Sequence, residues 1–258
     1  MKIIVLMKQV ANKDAVLRVG GDEKWIDDST ISYQTNESDG YALEEALRMK
    51  ESKGEGEVVV CTLGGQSAKT VIKDALARGA DRAIHVVADA ANKLSPYQIA
   101  KAIADAIREE NADLVFTGLQ SDDASYGQTG VILAELLNIP HATLIIEIDR
   151  ASLSDSLRVK RELESGWYQW FAYQLPALLT IQSGISQIRY ASLKGIMAAK
   201  KKEIRDVTPS IENFAGAQVI EKVYLPLKLK QTQMLGGGDA KKGAVELVEK
   251  LKTEVRVI

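Results

Sequence analysis

Short, almost purely apolar runs at residues 3–6, 58–61, 84–87 and 114–117 punctuate the first half of the chain. Their length and β-branched content predict strands. The lack of alternating polar positions predicts that both faces are covered, as at the centre of a sheet. Between these runs, residues 41–51, 67–78 and 96–109 carry apolar positions at helical spacing, and residues 131–137 open a further helix. In the second of these helices Val71, Ile72, Ala75 and Leu76 share a face, and Gly79 stands where a C-cap is expected. Strands alternating with helices through short links imply parallel pairing by right-handed crossovers. The expected fold class is α/β, a Rossmann-like open and mostly parallel sheet flanked by helices.

After Pro140 the pattern changes. Residues 142–148, 157–163, 167–173 and 177–182 follow one another with polar turns between them, which predicts strands added at the edge of the same sheet or beside it. Trp167 and Trp170 fall in the third of these, where core or interface packing is the default expectation. From Glu203 onward the alternation fades. Pro209 and Pro226 interrupt an extended arm, Gly236, Gly237 and Gly238 read as a hinge within it, and residues 244–251 close it as an amphipathic helix striped with Val245, Leu247, Val248 and Leu251. The expected division is therefore a body over residues 1–202 and an arm over 203–258. Such an arm has no core of its own and must lie on the body or on a partner.

Composition narrows the chemistry. A chain of 258 residues with 46% hydrophobic and 26% charged residues has material for one large or two small domains. Lys and Arg number 33 against 35 Asp and Glu, so the net charge of −2 gives no general attraction to nucleic acid or an anionic membrane. A single cysteine, Cys61, excludes an internal disulfide, and its apolar surroundings mark it as a small buried hydrophobe. His85 and His141, without a neighbouring second ligand, offer little for a zinc site or a histidine triad. The apolar run of MKIIVLMKQV ends at Lys8, too soon for a secretory core or a membrane span, so a buried first strand and a cytoplasmic or organelle-interior setting are expected. Any basic patch is local, and residues 189–202, RYASLKGIMAAKKK, hold one, with five cations, no acid, and Leu, Ile and Met among them. Composition allows two readings of it, a helix buried in the protein's own core or an exposed docking surface.

In open α/β sheets ligands sit at the carboxyl ends of the strands, where loops enter helix N-termini. Three loops qualify. Asn36, Glu37, Ser38 and Asp39 precede the first helix, with Asn36 and Ser38 as possible caps. Leu63, Gly64, Gly65, Gln66 and Ser67 allow close backbone approach but lack the spacing of a P-loop. The third is long and polar: Gly118, Leu119, Gln120 and Ser121 lead to Asp122, Asp123, Ala124 and Ser125, then to Tyr126, Gly127, Gln128 and Thr129. A loop of that length between buried elements points to function. Its Ser, Gln and Thr side chains suit phosphate and base. The adjacent Asp122 and Asp123 diverge and lack further ligands, so no metal is expected.

Taken with these loops, the segment VKRELESGWYQWFAYQLPALLT at 159–180 and the stretch RYASLKGIM resemble the beta subunit of electron transfer flavoproteins. The resemblance extends from MKIIVLMKQV through NESDGYALEEALRMK, GGQSAKTVIKDALARGADRAIHV and DLVFTGLQSDDASYGQTG to the arm. It implies an adenine nucleotide alpha hydrolase-like domain in a heterodimer whose alpha subunit holds most of the FAD, with AMP bound here by Leu6, Asn36 to Asp39, Leu63 and the loop from Gly118 to Thr129. It also implies that Tyr190, Ala191, Ser192, Leu193, Lys194, Gly195, Ile196 and Met197 belong to a recognition loop over 189–200 that docks acyl-CoA or related dehydrogenases, with Leu193 as the apolar anchor. A quinone oxidoreductase or similar acceptor is the implied destination of the electrons, and no residue here is expected to carry out bond chemistry. Electron-bifurcating members hold a second FAD in place of AMP and carry a loop of the type AIDGDTAQ. SDDASYGQ here is closer to the AMP-binding type, and the other alternative, a stand-alone nucleotide-binding module of the same α/β type, is opposed by the long arm from Glu203. Lys13 and Ser38 stand where mitochondrial members place aromatics near the flavin, so flavin contacts from this subunit are not assigned.

Overall fold

The computed structural model describes residues 1–29, 31–89, 91–150, 156–210, 218–227 and 232–257. The chain forms two compact units, Met1–Val223 and Tyr224–Ile258. In the first, the four apolar runs become β1 (Lys2–Leu6), β4 (Glu57–Gly64), β5 (Arg82–Val87) and β6 (Leu114–Gly118). A small antiparallel pair, β2 (Gln9–Ala11) and β3 (Tyr33–Thr35), stands apart from the main sheet. The helices are α1 (Glu37–Lys53), α2 (Lys69–Arg78), α3 (Pro96–Ile107) and α4 (Thr129–Leu137). Gly79 ends α2 at φ 136°, as its position requires.

The later strands are β7 (His141–Asp149), β8 (Ser156–Glu162), β9 (Tyr168–Gln174), β10 (Ala177–Ile181) and β11 (Ile204–Val207). Among the described residues the main sheet has nine strands in the order β11-β5-β4-β1-β6-β10-β7-β8-β9, parallel throughout except for β7-β8-β9. The strands are apolar on both faces because both are covered. Ile3 and Val5 of β1 join a core with α1 and α2, while Ile4 and Leu6 join a second core with α3 and α4. The order reverses at β1, which lies between β4 and β6, and that reversal opens a crevice at their carboxyl ends.

Three expectations change. Only β7, β8 and β9 extend one edge, whereas the fourth post-Pro140 strand, β10, inserts between β6 and β7 and is buried along its whole length. The chain does not leave the body directly at Glu203, because Ile204–Val207 first adds a parallel strand to β5. This strand is tied by His85, whose Nδ1 lies 3.2 Å from Asp206 and whose Nε2 lies 2.9 Å from the carbonyl of Gly64. Trp167 and Trp170 are not core residues: they are 72% and 38% exposed. β9 is the sheet edge, and among the described residues no layer covers its outer face, where Arg158 lies over Trp170 and Lys160 over Tyr168, both at 4.6 Å.

In the second unit, α6 (Ala240–Lys250) is capped by Asp239, and Val245, Leu247 and Val248 are exposed. The glycine run is not a free hinge. The Gly236 amide donates to Glu246 at 2.8 Å, and a Cβ on Gly236 would stand 2.5 Å from the Gly243 nitrogen, so the run packs onto α6. No helix among the described residues is long and apolar enough to cross a membrane.

The central strands set the stability of the first unit. Phe116 of β6 is fully buried, and Phe116→Ala is expected to lower unfolding free energy by about 3–5 kcal/mol, read from the midpoint of denaturant unfolding at unchanged slope.

Candidate functional site

A cleft of about 310 Å³ lies at the carboxyl ends of β1, β4 and β6. Leu6, Asn36, Asp39 and Leu63 line it, as do Gly118 through Ser121, Asp123, Ala124 and Tyr126 through Thr129. The remaining loop residues brace it from behind. The Ser38 hydroxyl donates to the Gln120 carbonyl at 2.9 Å, the Ser125 hydroxyl to the Ser121 carbonyl at 3.2 Å, and the Glu37 amide to Asp122 at 3.3 Å, while the Glu37 carboxylate pairs with Lys13. Neither Asn36 nor Ser38 caps α1. Instead Asn36 Nδ2 donates to the Gln120 carbonyl at 3.0 Å and Asn36 Oδ1 accepts from the Asp122 amide at 2.9 Å, tying the first loop to the third.

Asp39 binds the site together. Its Oδ2 accepts from the Lys8 amide, just past β1, at 2.8 Å, and its Oδ1 accepts from the Gly118 amide at the end of β6 at 2.9 Å. The backbones approach so closely that a Cβ on Gly118 would lie 2.2 Å from the Ser38 oxygen and 2.4 Å from Asp39 Oδ1. Burial pushes the Asp39 carboxyl up from 3.8 to about 7, against the pull of the two amides, Asn36 and Lys8. Burial likewise pushes the Cys61 thiol up to about 12, consistent with an inert core residue. Asp123 behaves differently: burial opposes its ionisation, but the Lys8 ammonium at 2.6 Å, the Ser121 hydroxyl and the Ala124 amide together outweigh this and lower its pKa. Asp122 and Asp123 thus serve separate bonds, and among the described residues no three His, Cys, Asp or Glu side chains are grouped to hold a metal.

Besides α1, whose Glu37 amide is taken by Asp122, two helix starts face the cleft without a side-chain cap. The short turn at Gln66–Ala68 that leads into α2 begins at Gly65, and α4 begins at Gln128. By contrast, Ser95 and Gln98 form a capping box on α3 and Ser192 caps α5 (Leu193–Ala199). Uncapped first-turn amides at α4 and at the Gly65 loop form a donor set suited to an anion. Lys8, Gln9, Asp89, Ile99, Gln218 and Ile220 also line the cleft and were missed in the sequence. Asp89 was within reach of the same reasoning, since it is the first polar residue after the third apolar run. Gln218 and Ile220 had no local signal at all.

The basic stretch lies elsewhere, with α5 packed on α2. Tyr190, Leu193 and Met197 are 94%, 77% and 64% exposed, and Ile196 shares that exposure, so the buried-core reading of this stretch does not hold. Its small residues hold it down instead. Ala199 is buried, Ala191 packs on the core, and a Cβ on Gly195 would stand 2.1 Å from the Ala77 carbonyl oxygen. Two of the five cations work inward: Arg189 pairs with Glu44 and Glu51, and Lys202 caps α2 by donating to the Leu76 and Ala80 carbonyls. Lys194, Lys200 and Lys201 remain on the surface.

The Asp39 carboxyl yields a signed prediction. Its folded pKa lies above its unfolded value, so the folded state holds the extra proton and this group's contribution to stability falls as pH rises from about 4 to 7. Side-chain carboxyl NMR should give a midpoint near 7. Asp39→Asn should abolish that part of the pH dependence and, with one acceptor for two amides, cost about 1–3 kcal/mol below pH 4.

Residues 24–212 match the electron transfer flavoprotein domain family. The chain is 36% identical over 245 residues to the electron transfer flavoprotein subunit beta of Methylophilus methylotrophus, covering 92% of this chain and 93% of that protein. It is 35% identical over 263 residues to the mitochondrial electron transfer flavoprotein subunit beta of Oryza sativa subsp. japonica, and 35% over 260 residues to the subunit beta of Bradyrhizobium diazoefficiens, with the full length of both chains covered in each case. With its parallel sheet, its switch-point cleft and its agreement with these relatives from end to end, the chain belongs to the beta-subunit family of electron transfer flavoproteins.

Proposed function

We propose that this chain is the non-catalytic subunit of a heterodimeric electron transfer flavoprotein, that it binds AMP in the cleft, and that it docks donor dehydrogenases through α5. The observation that carries the nucleotide reading is the pair of uncapped helix starts, at Gly65 and Gln128, opening into one switch-point cleft. The free amides at those starts would take the phosphate, and Asn36, Gln120, Ser121 and Gln128 offer partners for ribose and base. Glu37, Ser38, Asp122 and Ser125 support them. A volume of about 310 Å³ lies at the lower end of the ~300–1,000 Å³ of small-molecule sites, which favours a mononucleotide over a second FAD.

The flavin that carries the electrons would be held mainly by an alpha subunit. The apolar stripe of α6 and the exposed Tyr224, Leu225 and Leu227 support that subunit as what the segment beyond Val223 packs on, since burial of such surface needs a second layer. On α5, an apolar anchor at Leu193 flanked by Ile196, Met197 and three surface lysines fits a transient contact. Desolvation at the centre supplies affinity and the charged rim supplies steering. Donors of the acyl-CoA dehydrogenase class and an acceptor such as a quinone oxidoreductase complete the relay.

Co-expression with the alpha subunit, followed by mass and absorbance analysis of released small molecules, is expected to give one FAD and one AMP per heterodimer. Two FAD and no AMP would overturn the AMP assignment in favour of a bifurcating type. Leu193→Ala is expected to weaken docking of an acyl-CoA dehydrogenase by about 1–3 kcal/mol, measured from the concentration dependence of electron transfer, with FAD content and melting temperature unchanged. Gly195→Ala should lower both docking and melting temperature, because the added Cβ has to push α5 off the Ala77 carbonyl.

A further inference from the structure

The chain returns to the cleft long after the loops that build it. Residues 218–223 have no regular secondary structure, and Gln218 and Ile220 line the cleft while Val219 is 78% exposed. Gln218 Nε2 donates to the Tyr126 hydroxyl at 2.9 Å, which joins this segment to the long third loop. Its other end is fastened to a small hairpin near the N-terminus. In that hairpin the Gly20 amide donates to the Trp25 carbonyl and the Asp27 amide to the Arg18 carbonyl, each at 2.8 Å, with Val19 and Ile26 bridged between them. The Val223 amide donates to the Glu23 carbonyl at 2.7 Å, Lys222 pairs with Glu23 at 3.0 Å, and Lys24 donates to the Glu221 carbonyl. Trp25 and Ile26 of the hairpin line the same cleft as Ile220.

Two segments about 200 positions apart are thus joined to each other across one side of the cleft. Their mutual bonds are one main-chain bond, one lysine bond to a main-chain carbonyl and one exposed ion pair, which supply register but little burial. Val219 faces solvent, so the apolar contact open to this segment is on the side of the cleft. We propose that residues 218–223 and the 18–27 hairpin form a strap over the mouth of the cleft, with Gln218 and Ile220 as ligand-contacting residues that retain a bound adenine nucleotide. This proposal rests on the nucleotide reading given above. The loops at the strand ends recognise the ligand. The strap sets how long it stays, because the nucleotide can leave only after the Gln218–Tyr126 bond and the Ile220 contact open.

The test is the release rate of AMP from the purified heterodimer, followed by exchange of bound radiolabelled AMP against an excess of unlabelled AMP. Gln218→Ala should release AMP about five-fold faster, the effect of one neutral hydrogen bond. Ile220→Ala should release it about ten-fold faster through lost apolar contact. Tyr126→Phe should add little in the Gln218→Ala background, since both remove the same bond. Val219→Ala, on the outward side of the strap, should exchange at the wild-type rate, and FAD content and melting temperature should not change in any variant. Release at the wild-type rate in both Gln218→Ala and Ile220→Ala would overturn the strap while leaving the nucleotide site standing. A wild-type heterodimer that carries no AMP and takes none up would overturn the nucleotide reading and the strap with it.

Discussion

The Asp39 carboxylate joins three pieces of chain that the topology brings together but does not itself bond: the exit of β1 at Lys8, the exit of β6 at Gly118 and the first turn of α1. Parallel strands on either side of a switch point diverge at their carboxyl ends, and the amides just past them have no ladder partner. A buried carboxylate with two acceptor oxygens satisfies both at once. The cost of burying its charge appears as the raised pKa, and the gain is a cleft whose floor has a defined width. Gly118 follows from this constraint, because any side chain there would occupy the space of Ser38 and Asp39.

The same economy of buried charge recurs on the opposite face of α1. Glu44 and Glu45 sit in a run, YALEEAL, that would ordinarily be assigned a solvated side, yet both are buried. Arg48 and Arg189 pair with Glu44, and Arg150 with Glu45. Arg189 belongs to the segment that leads into α5, so the ion pair also fixes where the exposed helix begins. Close backbone packing at Gly195 and the capping of α2 by Lys202 fix where it lies. A surface that exposes Leu193 is held by contacts that use none of its large apolar side chains.

Much of the sheet was legible. The four central strands and the helices between them followed from apolar runs and helical spacing, because strands covered on both faces cannot hide their composition. The site loops were legible for a related reason: chain that leaves the carboxyl end of such a strand has to enter a helix, and polar or glycine-rich residues there are conspicuous. What failed were inferences about partners in space. The insertion of β10 beside β6, the exposure of Trp167 and Trp170, and the pairing of Ile204–Val207 with β5 all depend on which strand meets which. Hydrophobicity ranks a strand's burial but does not name its neighbour.

The sequence by itself determined the fold class, the strand ends at which the cleft opens and the kinship with electron transfer flavoprotein beta subunits, because each rests on periodicity or residue order that survives in one dimension. The tertiary structure alone decided that Asn36 and Ser38 brace a distant loop instead of capping their helix, that Leu193, Ile196 and Met197 face solvent, and that Gln218 and Ile220 return to a cleft built from the first half of the chain. The physical reason is common to all three. A polar or apolar side chain is satisfied by whatever lies within a few ångströms of it, and for these residues that neighbour is far away in sequence.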